Sequence, residues 1–560
     1  MKIVLAQQNY HIGNFEKNTE KIIEAIEEAK QQQADLIVFS EMCICGYPAR
    51  DFVEFKDFID KCYEAVDIIK QHADTIGVLV GSPARNPTIE GKDLFNAAFL
   101  LYEKEIKAEV HKTLLPTYDV FDEYRYFEPA YEWNVVEFKG KRLAVTICED
   151  IWNIDDNPLY RIAPMDMLIK QQPDLMINLS ASPFDYIHEE ERKSVIKANV
   201  LKYKLPMIYC NATGSQTEIV FDGASLVFDK EGNLCKCLPS FAEAIETITL
   251  NDDGSVDGYE VDNIRPISHM KPNPVKYDPN RNIKGIHTAL LHGIRDYFQK
   301  MDFTKAILGS SGGIDSAVVL ALACEALGKE NVRAILMPSA YSTSHSVDDA
   351  VQLSKNLGNP YDIIKIKDVY EAFLSSLKPI FNDLPFSIAE ENLQSRSRGN
   401  LLMAIANKFG YILLNTSNKS ELATGYGTLY GDMAGGIGVL GDCYKLQVYA
   451  LAEYINRDVE IIPDNIIHKA PSAELRPDQK DADSLPEYDI LDTILYQYIE
   501  RRQGPKEIKA QGFEPALVDR ILKLVNTNEY KRNQFCPIIR VSPKAFGVGR
   551  RVPIVGKYLS

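Results

Sequence analysis

The sequence contains no apolar run of 18 residues, so it predicts no membrane-spanning helix. It also has no excess of basic residues, because 62 lysines and arginines face 79 aspartates and glutamates, a formal net charge of −17. A protein that coats nucleic acid or an anionic membrane needs a basic surface, so neither is expected as a partner. The first apolar stretch, in MKIVLAQQNY, is too short for a signal peptide.

The ten cysteines form no C-x-x-C pair, which argues against a zinc ribbon or a thioredoxin-like redox motif. Without a signal peptide, reduced thiols in the cytoplasm are the expectation for them. Hydrophobic residues make up 45% of the chain and charged residues 25%, proportions typical of a folded globular protein.

The 560 residues suffice for two large α/β domains. Residues 1–245 contain many short apolar strands and a few helices, which predicts a mixed sheet covered by helices. Residues 246–285 are rich in Asp, Gly, Asn and Pro and are predicted to be a linker. Residues 286–560 alternate strands with helices, which predicts a doubly wound parallel sheet.

The sharpest motif follows the predicted strand Lys305–Leu308 and opens the predicted helix Asp315–Leu327. Backbone N–H groups of a glycine-rich loop and of a helix N-terminus can together hold a phosphate. An acid beside such a loop commonly binds magnesium, a role that Asp315 could take. No lysine follows the glycines, so this is not a Walker A loop, and a plain glycine-rich turn is the alternative. The predicted nucleotide loop comprises Gly309, Ser310, Ser311, Gly312, Gly313, Ile314, Asp315 and Ser316.

The loop SSGGIDS resembles the pyrophosphate loop of the N-type ATP pyrophosphatases, which adenylate a carboxylate or carbonyl. The segments LLNTSNKSELATGYGTLYGD, YKLQVYALA, SAELRPDQ and AFGVGRRVPI resemble the NAD synthetases, across most of residues 286–560. The resemblance implies an adenine nucleotide α-hydrolase-like fold. It also implies that Thr416 and Lys445 bind ATP, that Asp315 and Glu421 hold magnesium, and that Asn392, Glu421 and Lys531 bind the deamido dinucleotide.

Several of these residues have an alternative that the sequence leaves open. Lys445 could equally be a solvated helix residue, and Arg396 and Arg398 could contact phosphate or lie on a solvated face. Ala482 stands where the family usually carries an acid, which weakens any binding role for its loop.

In the first domain, a Glu, a Lys and a Cys each come near the end of an apolar strand. Glu41 closes DLIVFSE, Lys112 follows EVH, and Cys148 ends LAVTIC. A thiol nucleophile needs a base and a stabiliser for the oxyanion, and a carboxylate and an ammonium can supply them. Each residue type is common, so three unrelated structural residues are the alternative.

The surrounding segments FSEMCICGYPARD, VHKTLLPTYDVFDEYRYF, AVTICEDIW and NLSASPF resemble the nitrilase superfamily, specifically its glutaminase domains. The resemblance implies an α-β-β-α sandwich with Glu41 as base, Lys112 as oxyanion stabiliser, Cys148 as nucleophile and Glu123 as a supporting acid. Tyr118, Ser182 and His188 would then bind glutamine. His188 stands where many relatives carry Lys or Arg, and a surface helix residue is its alternative.

The two resemblances together imply glutamine-dependent amidation of deamido-NAD to NAD, with Mg²⁺ and ATP, by a cytoplasmic homo-oligomer. One rival is an amidotransferase similar to GMP or asparagine synthetase. Those enzymes use other glutaminase folds, and residue 2 here is Lys rather than an N-terminal cysteine nucleophile. The other rival is a non-catalytic nucleotide-binding protein, against which the intact Glu41, Lys112, Cys148 and SGGIDS argue.

Overall fold

The chain folds into two units, residues 1–273 and 274–560. The computed structural model describes residues 1–154, 158–258, 260, 276–342, 344–382, 384–470, 474–476 and 485–559. No helix in these ranges is long and apolar enough to cross a membrane.

The strands of the first unit are β1 Lys2–Gln7, β2 Leu36–Val38, β3 Gly77–Arg85, β4 Leu94–Tyr102, β5 Glu105–His111, β6 Val136–Phe138, β7 Lys141–Ile147, β8 Leu175–Ser180, β9 Met207–Asn211, β10 Thr213–Gln216, β11 Ile219–Asp222, β12 Leu226–Phe228, β13 Leu234–Cys237 and β14 Ala244–Thr249. Its helices are α1 Phe15–Gln31, α2 Lys56–His72, α3 Pro164–Leu168 and α4 His188–Tyr203.

The strands of the second unit are β15 Ala306–Gly309, β16 Val332–Leu336, β17 Tyr361–Ile363, β18 Ile412–Asn415 and β19 Ile437–Gly438. Its helices are α5 Ile283–Lys300, α6 Ile314–Leu327, α7 Ser344–Leu357, α8 Lys367–Phe381, α9 Ile388–Phe409, α10 Lys419–Thr424, α11 Lys445–Ile455, α12 Asp464–His468, α13 Tyr488–Ile499, α14 Pro505–Lys509, α15 Pro515–Thr527 and α16 Glu529–Arg532.

Two mixed sheets form the centre of the first unit, in the orders β14-β1-β2-β3-β4-β5 and β13-β12-β9-β8-β7-β6. Alternate residues of a strand point to opposite faces, so each strand contributes to two cores. In β1, Ile3 and Leu5 join the core between the sheets, where they meet residues such as Val145 of β7. Val4 and Ala6 of the same strand face the core under α1 and α2.

The second sheet is covered in the same way by α3 and α4. Val195, Ile196 and Val200 of α4 pack with Met207 and Tyr209 of β9. The first unit is therefore an α-β-β-α sandwich, and the predicted fold is confirmed.

The second unit contains a parallel sheet in the order β17-β16-β15-β18-β19. The strand order reverses beside β15, which makes the loop after β15 a topological switch point, where open α/β sheets bind ligands. Helix α6 begins directly after this loop. Most of its residues from Ile314 to Cys324 are buried and apolar, so nearly every face of the helix is covered. The predicted doubly wound sheet is confirmed.

The structure differs from the expected strands where the candidate residues lie. The predicted strand through Glu41 ends at Val38, and Cys148 begins a 3₁₀ turn, Cys148–Ile151, rather than ending β7. Strand β14 extends into the segment predicted as linker and pairs with β1, Thr249 opposite Lys2. The domain boundaries after residue 245 and before residue 286 stay a prediction.

Candidate functional site

A buried ion cluster lies where β2 and β5 end in the first unit. Lys112 Nζ lies 2.8 Å from Glu41 Oε1 and 2.8 Å from Glu123 Oε1. The side chains of Lys112 and Glu41 are 0% exposed and that of Glu123 is 4% exposed, so the three groups are paired away from solvent. A buried charge persists only when it is paired and hydrogen-bonded, and the remaining carboxylate oxygens also have partners.

These partners come from three other segments of the first unit. Asn96 donates from Nδ2 to Glu41 Oε1 at 2.7 Å and to Glu123 Oε2 at 3.4 Å. The hydroxyl of Tyr47 donates to Glu123 Oε1 at 2.8 Å, and the backbone N–H of Ala181 donates to Glu41 Oε2 at 3.0 Å. The positions of both carboxylates are thereby fixed before any substrate arrives.

Cys148 lies beside this cluster at the start of its 3₁₀ turn, with a φ of 43°. A positive φ is uncommon for a residue other than glycine and is found repeatedly at active sites. Burial and the nearby Glu41 carboxylate raise the pKa of the Cys148 thiol well above its ordinary value, more than Lys112 lowers it. The resting side chain is thus a thiol that needs a base before it can attack.

The charge state of Lys112 follows from the same contacts. Burial alone would lower the pKa of Lys112, but Glu123 and Glu41 raise it well above its ordinary value. Burial raises the pKa of Glu123 to about 7, although Lys112 acts in the opposite direction. Lys112 therefore stays an ammonium, poised to stabilise negative charge near the thiol.

A second group of polar side chains surrounds Glu149, the residue that follows Cys148. The hydroxyl of Tyr118 donates to both oxygens of Glu149 at 3.0 Å, and the hydroxyl of Tyr160 donates to Oε1 at 3.0 Å. Burial raises the pKa of Glu149 to about 6, so it is mostly ionised at neutral pH.

Ser182 and His188 are brought together at the start of α4. Ser182 Oγ lies 2.9 Å from His188 Nε2, and the imidazole stacks on Trp152 with ring centroids 4.8 Å apart. The His188 side chain is 20% exposed, and His188 is the first residue of α4.

The glycine-rich loop of the second unit connects β15 to α6. Gly312 has a φ of 78°, and a Cβ at this position would overlap the backbone carbonyl of Ser346. Only glycine fits such a position without strain. Ser316 Oγ accepts from the backbone N–H of Ser311 at 3.3 Å and donates to Gly313 O at 3.0 Å, which closes the loop onto the helix start.

Lys445, the first residue of α11, reaches this loop. Its Nζ lies 2.6 Å from Asp315 Oδ2 and 3.9 Å from Glu421 Oε1. Asn418 donates from Nδ2 to Asp315 Oδ1 at 2.8 Å. The Lys445 side chain is 3% exposed, which excludes the alternative of a solvated helix residue.

Lys445, Asp315 and Glu421 line one cavity, and the buried loop residue Ser316 is not among its lining residues. Arg398 also lines it and donates from Nε to Met337 O at 3.0 Å. Arg396 donates to Leu429 O at 3.2 Å. Ala482 lies outside the described residues. Further lining residues include Gly309, Ser310, Ser311, Gly312, Gly313, Ile314, Thr416, Asp432 and Lys469.

Asn392 and Lys531 each contact the loop at residues 425–428, of which Tyr426 lines this cavity. Asn392 Oδ1 accepts from Thr428 Oγ1 at 2.8 Å. Lys531 Nζ donates to Gly425 O at 2.8 Å and to Gly427 O at 2.9 Å. Burial lowers the pKa of Lys531, against the effect of Asp432.

Known proteins resemble both units and the whole chain. A carbon-nitrogen hydrolase family profile matches residues 2–256, and an NAD synthase family profile matches residues 286–535. Over 560 residues the chain is 43% identical to the glutamine-dependent NAD(+) synthetase of Synechocystis sp., covering 99% of this chain and 98% of the relative. The chain belongs to the glutamine-dependent NAD(+) synthetase family. The family member from Thermotoga maritima is 40% identical and aligns over 100% of this chain and 99% of its own.

Solved structures of the family have the same architecture. The glutamine-dependent NAD+ synthetase of Acinetobacter baumannii, in complex with ADP, has a TM-score of 0.76 and 36% identity, covering 100% of this chain and 99% of its own. The family member from Cytophaga hutchinsonii has a TM-score of 0.80 at 19% identity and supports the fold alone, with 100% and 98% covered.

Sequence reasoning missed several polar residues of the site in this family member. Asn96 and Tyr47 contact Glu41 or Glu123 from segments that carry no recognisable local signal. Glu149 follows Cys148 directly, and an acidic residue next to a predicted nucleophile is a signal that could have identified it as a site residue. Tyr160 lies in an irregular segment whose path the sequence did not predict.

Proposed function

We propose that the chain converts deamido-NAD to NAD with nitrogen from glutamine, using one site in each unit. The observation that carries the proposal is the buried Glu41–Lys112–Glu123 cluster beside Cys148. It occurs in a chain that is 43% identical to a glutamine-dependent NAD(+) synthetase. A buried ammonium between two carboxylates, beside a cysteine whose backbone has a positive φ, is costly to maintain. This cost favours a catalytic role over three unrelated structural residues.

At the first site, Glu41 takes the proton of the Cys148 thiol as sulfur attacks the amide carbon of glutamine. The carbonyl oxygen becomes an oxyanion, which the Lys112 ammonium stabilises. The C–N bond then breaks, and the proton held by Glu41 leaves with the nitrogen as ammonia. Water, deprotonated by Glu41, cleaves the resulting thioester, and glutamate departs as Cys148 regains its proton.

The groups around Cys148 supply complementary charges for the rest of the glutamine molecule. Glu149 presents an ionised carboxylate, held by Tyr118 and Tyr160, that fits the α-ammonium. Ser182 and His188 offer a hydroxyl and an imidazole that fit the α-carboxylate.

At the second site, the loop Gly309–Ser316 and Lys445 hold the phosphates of ATP, with Thr416 in the cavity lining. The nicotinate carboxylate attacks the α-phosphorus and pyrophosphate leaves. Ammonia then attacks the acyl adenylate, and AMP leaves as the amide of NAD forms. Asn392, Glu421 and Lys531 hold the deamido dinucleotide. Asn392 and Lys531 also bond to the loop at residues 425–428.

Asp315 and Glu421 are the residues that would hold magnesium. Mg²⁺ usually takes one or two carboxylates with substrate phosphates and waters, and these two carboxylates converge on Lys445 beside the loop. The ion would neutralise phosphate charge.

The compartment and assembly state belong to the same proposal. All ten cysteines are free, as is typical of proteins from a reducing compartment, and we place the chain in the cytoplasm. Exposed apolar residues on α8, on α9 and in the loop between them support a homo-oligomer. These residues are Ile380, Leu384, Phe386 and Ile388. Light scattering on the purified chain would test the oligomeric state.

The experiment supplies the purified full chain with deamido-NAD, Mg²⁺-ATP and either glutamine or ammonium. Mass spectrometry should find glutamate, AMP and NAD with glutamine, and AMP and NAD with ammonium. Xanthosine monophosphate and aspartate serve as control acceptors, because the rival amidotransferases use them. Product from a control acceptor, without NAD from deamido-NAD, would contradict the proposal.

A further inference from the structure

One buried carboxylate connects the two segments that carry Lys112 and Cys148. Asp150 is 4% exposed. Its Oδ1 accepts from the backbone N–H of Thr113 at 3.0 Å and of Leu114 at 2.8 Å. Its Oδ2 accepts from the backbone N–H of Ile147 at 3.0 Å.

The bonded residues are chain neighbours of the catalytic ones. Thr113 directly follows Lys112, and Ile147 directly precedes Cys148. The backbone of Lys112 is fixed separately, because its N–H donates to Asn96 O at 2.8 Å and its carbonyl accepts from Ala130 N at 2.9 Å. Asp150 therefore joins a segment already anchored to β4 with the turn that carries the nucleophile.

The conformation of Cys148 shows why such a connection is needed. A non-glycine residue at positive φ is strained and persists only where its surroundings determine it. The φ of Cys148 is 43°, and the bond from Ile147 to Asp150 closes the turn around it. The bonds of Asp150 to Thr113 and Leu114 then tie this closed turn to the segment of Lys112.

We propose that Asp150 is a positioning residue of the glutaminase site, an inference that rests on the proposed function. It sets the distance between the Lys112 ammonium and the Cys148 thiol, so that the oxyanion formed by attack of the thiol meets the ammonium. Asp150 contacts neither substrate nor reacting atoms, and both its oxygens are used by backbone donors.

Asp150→Asn tests this role with little change in size. The amide has one acceptor oxygen, and its NH₂ group would face an N–H donor. Either Ile147 or the pair Thr113 and Leu114 then loses its partner, and one catalytic segment is released. A displacement of about 1 Å can cost about 100-fold in rate, so we expect kcat for glutamine hydrolysis to fall at least about tenfold.

The test uses the full chain and counts working sites. A glutamine analogue carrying a diazoketone alkylates the nucleophile, and complete titration gives the fraction of competent sites. A merely structural role would lower the number of titratable sites and the Tm but leave kcat per titrated site unchanged. The KM for glutamine is measured in parallel, because Glu149, which fits the α-ammonium, lies in the same turn as Cys148 and Asp150.

Asp174→Asn is the matched control. Asp174 Oδ2 accepts from the backbone N–H of Arg142 at 2.7 Å, at the opposite end of the strand that leads to Cys148. Its variant should keep the parent kcat per titrated site. An equal fall in both variants would overturn the proposal, because general loosening of β7 would explain it.

Asp150→Glu carries the test if the asparagine variant does not fold. It keeps both acceptor oxygens but displaces them by one methylene, so kcat per site should also fall, with ammonium-driven NAD synthesis at the parent rate. A kcat per site within about twofold of the parent in either variant overturns the role of Asp150. A parent that releases no glutamate overturns the proposed function as well, so the two failures are distinguishable.

Discussion

Lys112→Met removes the ammonium from the centre of the buried cluster and keeps a side chain of similar length. In the parent, Lys112 Nζ bonds to Glu41 and Glu123, both at 2.8 Å. The variant therefore loses the cation that faces the oxyanion and leaves two carboxylates close together without a countercharge.

The loss of the cation lowers the rate of glutamine hydrolysis, and the loss of the ion pair lowers the stability of the first unit. Removal of one oxyanion-stabilising group typically costs about 100- to 1,000-fold in rate. Breaking a buried ion pair by removing one partner costs about 3–5 kcal/mol of stability, because the remaining charge is buried and unpaired. The first unit should therefore melt earlier and hydrolyse glutamine at least about 100-fold more slowly.

The double variant Lys112→Met with Glu123→Gln separates the two effects. It removes one of the unpaired carboxylates, so part of the lost Tm should return. The rate of glutamine hydrolysis should not return, because the cation is still missing. Glutamate release, ammonium-driven NAD synthesis and thermal unfolding are measured on the same preparations. Glutamine hydrolysis by Lys112→Met within about twofold of the parent would refute the assignment of Lys112.

Asp315→Asn should lower AMP formation at least about 100-fold, since it removes a carboxylate from the phosphate loop and from Lys445. AMP release at the parent rate in saturating magnesium would rule out that role. A second prediction concerns pH, because burial raises the pKa of Glu149 from 4.5 to about 6. A carboxyl whose folded-state pKa is raised contributes stability at low pH, and this is lost as pH rises through that value. Between pH 5 and pH 8 the parent should lose about 1 kcal/mol of unfolding free energy relative to Glu149→Gln, measured by urea unfolding. An unchanged difference between parent and variant across this range would place Glu149 in a solvated environment instead.

The nucleotide site of the second unit was largely predictable because its signals are local. Glycines 312 and 313, Asp315 and an apolar helix follow one strand within a few residues, and the structure places them in that order. The position of Lys445 was not predictable from spacing, because a lysine at a helix start is usually solvated. It is buried here because Asp315, 130 residues earlier in the chain, pairs with it.

The glutaminase cluster depends on contacts that a linear reading does not contain. Asn96 bonds to Glu41 across 55 positions, and Ala181 across 140, so only the closed sandwich brings them together. Strand β14 was missed for a related reason. Its residues are only partly buried and lie next to a polar stretch, and pairing with β1 rather than apolar alternation makes it a strand.

Cys148→Ala tests whether one chain contains two centres with separate tasks. Alanine offers no nucleophile, so no thioester forms and ammonia is not released from glutamine. The second centre needs ammonia from any source. The substitution should cost about 1 kcal/mol or less of stability, and comparing two nitrogen donors within one variant cancels any general loss of fold. NAD formation should stop with glutamine and continue at the parent rate with a high concentration of ammonium. Undiminished NAD formation from glutamine would exclude Cys148 as the nucleophile and with it a separate glutaminase centre.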